Sequence, residues 1–333
     1  MNDDLMERLC RKAEETDFSG VISLESNEAS IQKAFGHRDR ANSLPNTDET
    51  RFGLASGTKG FTALGIAALI HEDKFGLDTC ARALVGNRIS NLHPDITIRQ
   101  LLSHTSGIGD YFDEEEIGES DEFVLAIPVQ NLVSPLDYIP LLEEKAQKFP
   151  PGTASSYSNS GYIVLAIVIE LVASMPYQKF IEDAVFAHAQ MNQSGFFRSD
   201  CLPANTALGY ISDQERLRTN IFHLPVVGGG DGGAYSTAED MGRFWKALKA
   251  SRIVPIQTLA PFLQPQSIVD NQRYGYGFWL DDKLDHIKLV GMDAGVSFFS
   301  STAPAKDESI TIMSNTSTGA WPLVSLIRAE GLK

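Results

Sequence analysis

Residues 52–70 read FGLASGTKGFTALGIAALI, and the rest of the chain is best read outward from them. Small and apolar residues dominate the run, which describes a helix buried on all sides. Ser56 and Lys59 interrupt its front, spaced S-x-x-K. Residues three apart share a helix face. A helix from near Ser56 to Ile70 or His71, with Gly76 just beyond, therefore sets hydroxyl and amine side by side at its N-terminal end. That end offers unpaired backbone N–H groups and a partial positive charge. Both favour an anion forming on an atom bonded to Ser56. An amine held against an apolar helix loses solvent, which disfavours its charged form. A neutral Lys59 can take the hydroxyl proton, making Ser56 a candidate nucleophile and Lys59 its base or proton relay. The bland reading of the same spacing is an N-capping serine and a surface lysine, and S-x-x-K alone does not separate the two.

Other stretches bear on that choice. PPGTASSYSNSGYIVLAIVIE, residues 150–170, puts Tyr157 and Asn159 just before an apolar helix. A Y-x-N at a loop end offers a phenol and an amide, though a packed tyrosine and a capping asparagine give the same letters. RQLLSHTSGI, residues 99–108, ends a helix in a Ser/Thr/Gly turn, and His104 reads there as a turn residue rather than a catalyst. GGGDGGAYSTAEDMGRFW, residues 228–245, is a flexible loop and then a helix capped by Ser236 or Thr237, with Glu239 and Asp240 in its first turn.

The chain has 333 residues, enough for one large domain or two closely packed ones. Its net charge of −15 speaks against nucleic acid or an anionic membrane as partner, because both call for a basic face. No apolar run reaches the ~18 residues of a membrane span. The charged, amphipathic start MNDDLMERLCRKAEE has no secretory character, so a cytoplasmic protein is expected. Cys10, Cys80 and Cys201 are far apart and read as reduced thiols. The 7 histidines are scattered without metal spacing, and neither metal nor cofactor is implied.

Strand patterns lie at both ends of the chain. FSGVISLE and ASIQKAFG come first, joined by a polar turn at Ser26 and Asn27, and YGYGFWLD, HIKLVGM, GVSFFSST and SITIMSN come last. Helical periodicity marks Met1–Glu15, most of the middle, and a terminal helix near Trp321–Glu330. The acidic loop from Gly109 to Ser120 reads as a solvated face. The expected fold is α+β: an antiparallel sheet built from residues 1–55 and 248–333 with flanking helices, a mostly helical insertion over 56–247, and the site between them.

In this order FSGVISL, GHRDRANSLPNTDETRFGLASGTKGFTA, ITIRQLLSHTSGI, FPPGTASSYSNSGY, GGGDGGAYSTAEDM and YGYGFW resemble the serine β-lactamase and penicillin-binding protein superfamily. The branch is that of class C β-lactamases, D-alanyl-D-alanine carboxypeptidases, D-aminopeptidases and family VIII esterases. The resemblance covers nearly the whole chain and implies the fold just described. It implies that Ser56 is acylated, Lys59 is its proton partner, Tyr157 relays protons, and Asn159 holds the substrate amide or Lys59. The third motif departs from the family. Where relatives carry Lys-Thr-Gly or His/Trp-x-Gly, this chain places Leu289, Val290 and Gly291, with the Met292 N–H implied as oxyanion donor beside that of Ser56. The family's basic or polar residue there helps bind a carboxylate, and Leu289 cannot. Strand alternation sends Lys288 to the opposite face.

Two rivals stand beside this expectation. Gly228–Gly233 matches a dinucleotide fingerprint, but the acidic residue due about twenty positions on is missing. A binding or sensor protein that kept the fold and lost the chemistry is the other, motivated by Leu289. The expectation is a serine hydrolase acting on a small ester or amide, with carboxylic esters ahead of β-lactams and of D-Ala-D-Ala or D-aminopeptidase-type substrates.

Overall fold

The computed structural model describes residues 3–26, 29–116, 120–213, 216–283 and 285–329. Asn27 of the first expected turn, residues 117–119 of the acidic loop and Glu330 of the last helix lie outside the described residues.

The N-terminal helix α1 (Asp3–Glu15) buries Leu5, Met6, Leu9 and Ala13 along one stripe and turns its charges outward. It leads into β1 (Gly20–Glu25) and β2 (Ser30–Phe35). The C-terminal part supplies β3 (Ser267–Val269), β4 (Gln272–Tyr274), β5 (Trp279–Leu280), β6 (Ile287–Asp293), β7 (Val296–Ala303) and β8 (Glu308–Ser314). They form one eight-stranded antiparallel sheet in the order β2-β1-β8-β7-β6-β5-β4-β3, so the two chain ends meet where Gly20–Glu25 pairs with Ser309–Ser314. The stretch YGYGFWLD is two short strands rather than one. Gly277 at φ +87° reverses the chain between Tyr274 and Trp279, a conformation that glycine adopts without a Cβ clash.

Both faces of the sheet are covered, so neighbouring residues of β7 are buried on opposite sides. Phe298 packs into the core shared with α2 (Thr58–His71) and α3 (Asn159–Ala173). Phe299 packs with Leu5 and Leu9 of α1 and Leu323 of α5 (Trp321–Ala329). The middle of the chain is helical for the most part, but it also carries the short strand pair Tyr210–Asp213 and Arg216–Thr219. Its last helix, α4 (Ala238–Lys249), lies on β1 and β8 and belongs to the sheet layer, because its apolar face (Met241, Phe244, Trp245 and Leu248) is what covers the sheet there. Thr237 caps it by accepting the Asp240 N–H at 3.2 Å. Among the described residues no single helix is long and apolar enough to cross a membrane.

Candidate active site

The predicted helix begins with a tight turn, Ala55–Gly57, that runs directly into α2. Ala55 holds φ +45°, a left-handed conformation disfavoured for a residue with a Cβ. The turn sits on β6. A β-carbon on Gly291 would come within 2.1 Å of the Leu54 carbonyl and 2.9 Å of the Ser56 and Gly57 nitrogens. Only a glycine lets this strand lie flush against the nucleophile's backbone. β5 pairs with β6 at Ile287 and Lys288 only, and the Ser56 turn occupies the strand beyond that point.

Lys59 is 1% exposed, and its Nζ has three close oxygens: Ser56 Oγ at 2.8 Å, Asn159 Oδ1 at 2.7 Å and the Asp231 carbonyl at 2.8 Å. Two of these can only accept, and the third, a hydroxyl, can also donate. A neutral amine therefore donates to Asn159 and Asp231 and takes the Ser56 hydroxyl proton on its lone pair. Burial lowers the Lys59 pKa, opposed by the carboxylates of Asp231, Glu114, Asp293 and Asp110. The Tyr157 phenol stands close enough to the Ser56 side chain to interact with it, and burial holds its pKa well above the ordinary value, aided by Glu114. Both shifts point one way. Lys59 is the group that gives up its proton, and Tyr157 is the group that keeps one.

Each partner has its own support. Asn159 opens α3, where Ser158 Oγ accepts the Gly161 N–H and Asp110 accepts the N–H groups of Asn159 and Ser160 at 2.7 and 2.8 Å. Asn159 Oδ1 meets Lys59 Nζ, the second of the two roles the resemblance allowed it. Its amide Nδ2 is occupied by the Phe112 carbonyl at 2.8 Å. Tyr157 lies between two rings, His104 at 4.4 Å and a stacked Trp279 at 6.1 Å. His104 is buried in a left-handed turn and accepts the Ser158 N–H on Nδ1, so it is a turn residue that also packs on Tyr157. The Gly228–Gly233 run threads its backbone between α2 and α3. A β-carbon on Gly230 would meet the Tyr162 carbonyl at 2.3 Å, and the Gly230 carbonyl accepts the Thr62 hydroxyl at 2.6 Å. These glycines bring the Asp231 carbonyl to Lys59 and do not cradle a phosphate.

Leu289, on the Gly291 face of β6, is 1% exposed and turned into the core, where a β-carbon on Gly60 would meet it at 2.5 Å. It packs there because the glycine of α2 leaves a hole that its side chain fills. Lys288 faces the other way, near Asp281 and Arg328. The Met292 side chain is 44% exposed. Sequence reasoning did not single out Asp231, Glu114 or Asp293. Asp231 was visible as the one acid inside the glycine run, whereas Asp293 gave no local signal.

The Ser56–Lys59–Tyr157 cluster brings together a hydroxyl, an amine and a phenol, the groups that serine hydrolases of the lysine-activated kind use. The chain belongs to the beta-lactamase family, whose model matches residues 15–332. It is 29% identical over 299 residues to penicillin-binding protein 4* of Bacillus subtilis, covering 85% of this chain and 64% of that protein, so it spans less than two thirds of this relative's length. Among solved structures it is similar to a penicillin binding protein from Bacillus halodurans, 36% identical with a TM-score of 0.91 over 97% of this chain and 99% of that one. A D-stereospecific amidohydrolase from Streptomyces shares the fold at 21% identity, TM-score 0.82, over 98% of each chain.

Proposed function

We propose that the protein hydrolyses small carboxylic esters or amides through an acyl-enzyme on Ser56. The Ser56 Oγ–H proton passes to Lys59 as the Oγ–acyl carbon bond forms. The Ser56 and Met292 N–H groups hold the oxyanion. The bond to the leaving group then breaks, and the leaving oxygen or nitrogen takes a proton delivered through Tyr157. Water adds to the acyl carbon, its proton returns by the same groups, and the acid leaves with Ser56 restored.

The observation that carries the preference for esters and amides over β-lactams is the burial of Leu289 against Gly60. A substrate carboxylate needs a cationic partner. The strand offers none on this face, and the cleft lined by Ala55, Tyr111, Tyr138, Phe197, Asp231 and Gly232 contains no lysine or arginine among the described residues. A cytoplasmic location is part of the proposal, and cell fractionation tests it. The reading is tested by hydrolysis of short p-nitrophenyl esters against nitrocefin, in wild type and Ser56→Ala. Ester turnover lost in Ser56→Ala, with nitrocefin slower, is expected. Efficient nitrocefin hydrolysis would overturn the preference. Penicillin binding is the second reading, favoured by the names of the two penicillin-binding relatives, and covalent labelling by a fluorescent penicillin would support it.

A further inference from the structure

Tyr138 is a buried polar residue that the mechanism does not use. It ends a short turn, Pro135–Tyr138, whose start is fixed by Ser134 Oγ accepting the Leu136 N–H at 3.2 Å. Its ring is 1% exposed and meets Tyr111 edge-on, centroids 5.5 Å apart. Tyr111 is held in turn, donating its N–H to Ser160 Oγ at 2.9 Å and its hydroxyl to Asp231 Oδ2 at 2.5 Å. Other buried tyrosines also place their hydroxyls. Tyr162 donates to the Leu102 carbonyl at 2.9 Å, and Tyr177 meets the Thr62 hydroxyl at 2.7 Å. The Tyr138 hydroxyl has no hydrogen-bond partner among the described residues. Buried hydroxyls are nearly always paired, because an unpaired one has given up its bonds to water for nothing.

That hydroxyl stands at a cleft. Tyr138, Tyr111 and Asp231 line it together with Ala55 and Gly232, so it opens beside the residue that precedes the nucleophile. A β-carbon on Gly229 would lie 3.4 Å from Asp231 Oδ1 and 3.5 Å from the Tyr138 hydroxyl, which sets a donor and an acceptor close together. The cleft is small, about 60 Å³. At roughly 30 Å³ per water-sized group it takes the tip of a short chain, whereas an aromatic ring needs roughly 150 Å³. A hydroxyl on that tip satisfies both walls, accepting from Tyr138 and donating to Asp231. A methyl satisfies neither, and a carboxylate would face Asp231.

We propose that Tyr138 is a specificity-determining residue: its hydroxyl reads a hydroxyl on the second or third carbon of the acyl chain, so that the favoured substrates are esters or amides of short hydroxy acids. This rests on the Ser56 hydrolase reading above. The cleft begins at Ala55, so the tip that reaches Tyr138 belongs to a carbon close to the carbonyl that Ser56 attacks. A site built to hydrogen-bond a substrate hydroxyl turns away the analogue that lacks it, because the site's own polar group is then left unpaired.

The test uses pairs of p-nitrophenyl esters that differ by hydroxyl against methyl: lactate with isobutyrate, and 3-hydroxybutyrate with 3-methylbutyrate, the hydroxy acids in both stereoisomers. Each kcat/KM is divided by the rate of the same ester in hydroxide, which removes its intrinsic reactivity. In wild type the hydroxyl-to-methyl ratio should reach about tenfold in at least one pair, the scale of one or two hydrogen bonds. Tyr138→Phe should bring that ratio to about one. The same substitution removes a hydroxyl that bonds to nothing in the free protein, so the variant should melt no lower than wild type. A wild-type ratio at or below one in both pairs overturns the proposal, as does a ratio that Tyr138→Phe leaves unchanged. A clear fall in melting temperature also overturns it, because the hydroxyl would then have a partner inside the protein. Ser56-dependent turnover of all the esters without preference overturns it while leaving the hydrolase reading intact. No turnover of any ester, with no covalent labelling of Ser56, overturns both.

Discussion

Gly291 lies so close beneath Ser56 that a β-carbon on it would come to 2.9 Å from the Ser56 nitrogen. The nucleophile and the third-motif strand thus touch backbone to backbone. Gly291→Ala must push them apart, since the Leu54 carbonyl at 2.1 Å cannot move as a side-chain tip would. Because an oxyanion donor acts over a few tenths of an ångström, kcat should fall by ~10²-fold or more. Melting measured alongside separates this from unfolding, and near-normal kcat in a folded Gly291→Ala would remove Met292 from the oxyanion hole.

The two proton-carrying groups should be separable by mutation. Lys59→Ala removes the amine that Asn159 and Asp231 orient, and Tyr157→Phe removes only one hydroxyl. Each should lower kcat by ~10²-fold or more, as expected of a positioned acid or base. Steady-state kinetics on a neutral ester decides. A Tyr157→Phe enzyme with normal turnover would reduce that ring to a packing partner of His104 and Trp279.

The pH profile carries a sign. The Lys59 pKa is lowered by burial, so a larger fraction is neutral near pH 7 than for an ordinary lysine. The ammonium form cannot accept the Ser56 proton. The kcat/KM for a neutral ester should therefore rise with pH as Lys59 deprotonates. Tyr157, raised well above its ordinary value, should impose no falling limb below about pH 10. Running Asp293→Asn in parallel keeps the Asp293 carboxyl from being mistaken for Lys59. A rate that falls from neutral to mildly alkaline pH would contradict the base assignment.

Asp293 should weaken the fold. Its carboxyl, pushed up to about 8, is neutral in the folded protein over a range in which the unfolded chain has already ionised. A raised folded-state pKa means full stability below the unfolded value, near 4, and progressive loss as pH rises toward 8. Asp293→Asn should thus be more stable than wild type at pH 8, by about 1–2 kcal/mol once solvent screening is discounted, and nearly equal at pH 4. Denaturant melts at the two pH values measure this, and a variant less stable at pH 8 would contradict it.

Much of the fold and part of the site were legible from periodicity and spacing. The apolar run behind Ser56, the alternating strands at both chain ends and the Tyr157–Asn159 pair before α3 are local patterns, and local patterns survive in a linear sequence. The split of YGYGFWLD into two strands depended on the reversal at Gly277. The burial of Leu289 depended on a missing side chain at Gly60, 229 positions earlier in the chain. Asp293 and Glu114 gained their meaning only when the fold set both near Lys59, because charge proximity across 179 residues leaves no trace in spacing.

The central claim is that Ser56 becomes acylated, and intact-protein mass spectrometry after reaction with a serine-reactive phosphonate tests it most directly. One equivalent of reagent should add to the wild type, map to the peptide containing Ser56, and be absent from Ser56→Ala. Attachment at another residue, or an unmodified wild type under conditions where it hydrolyses esters, would contradict the account.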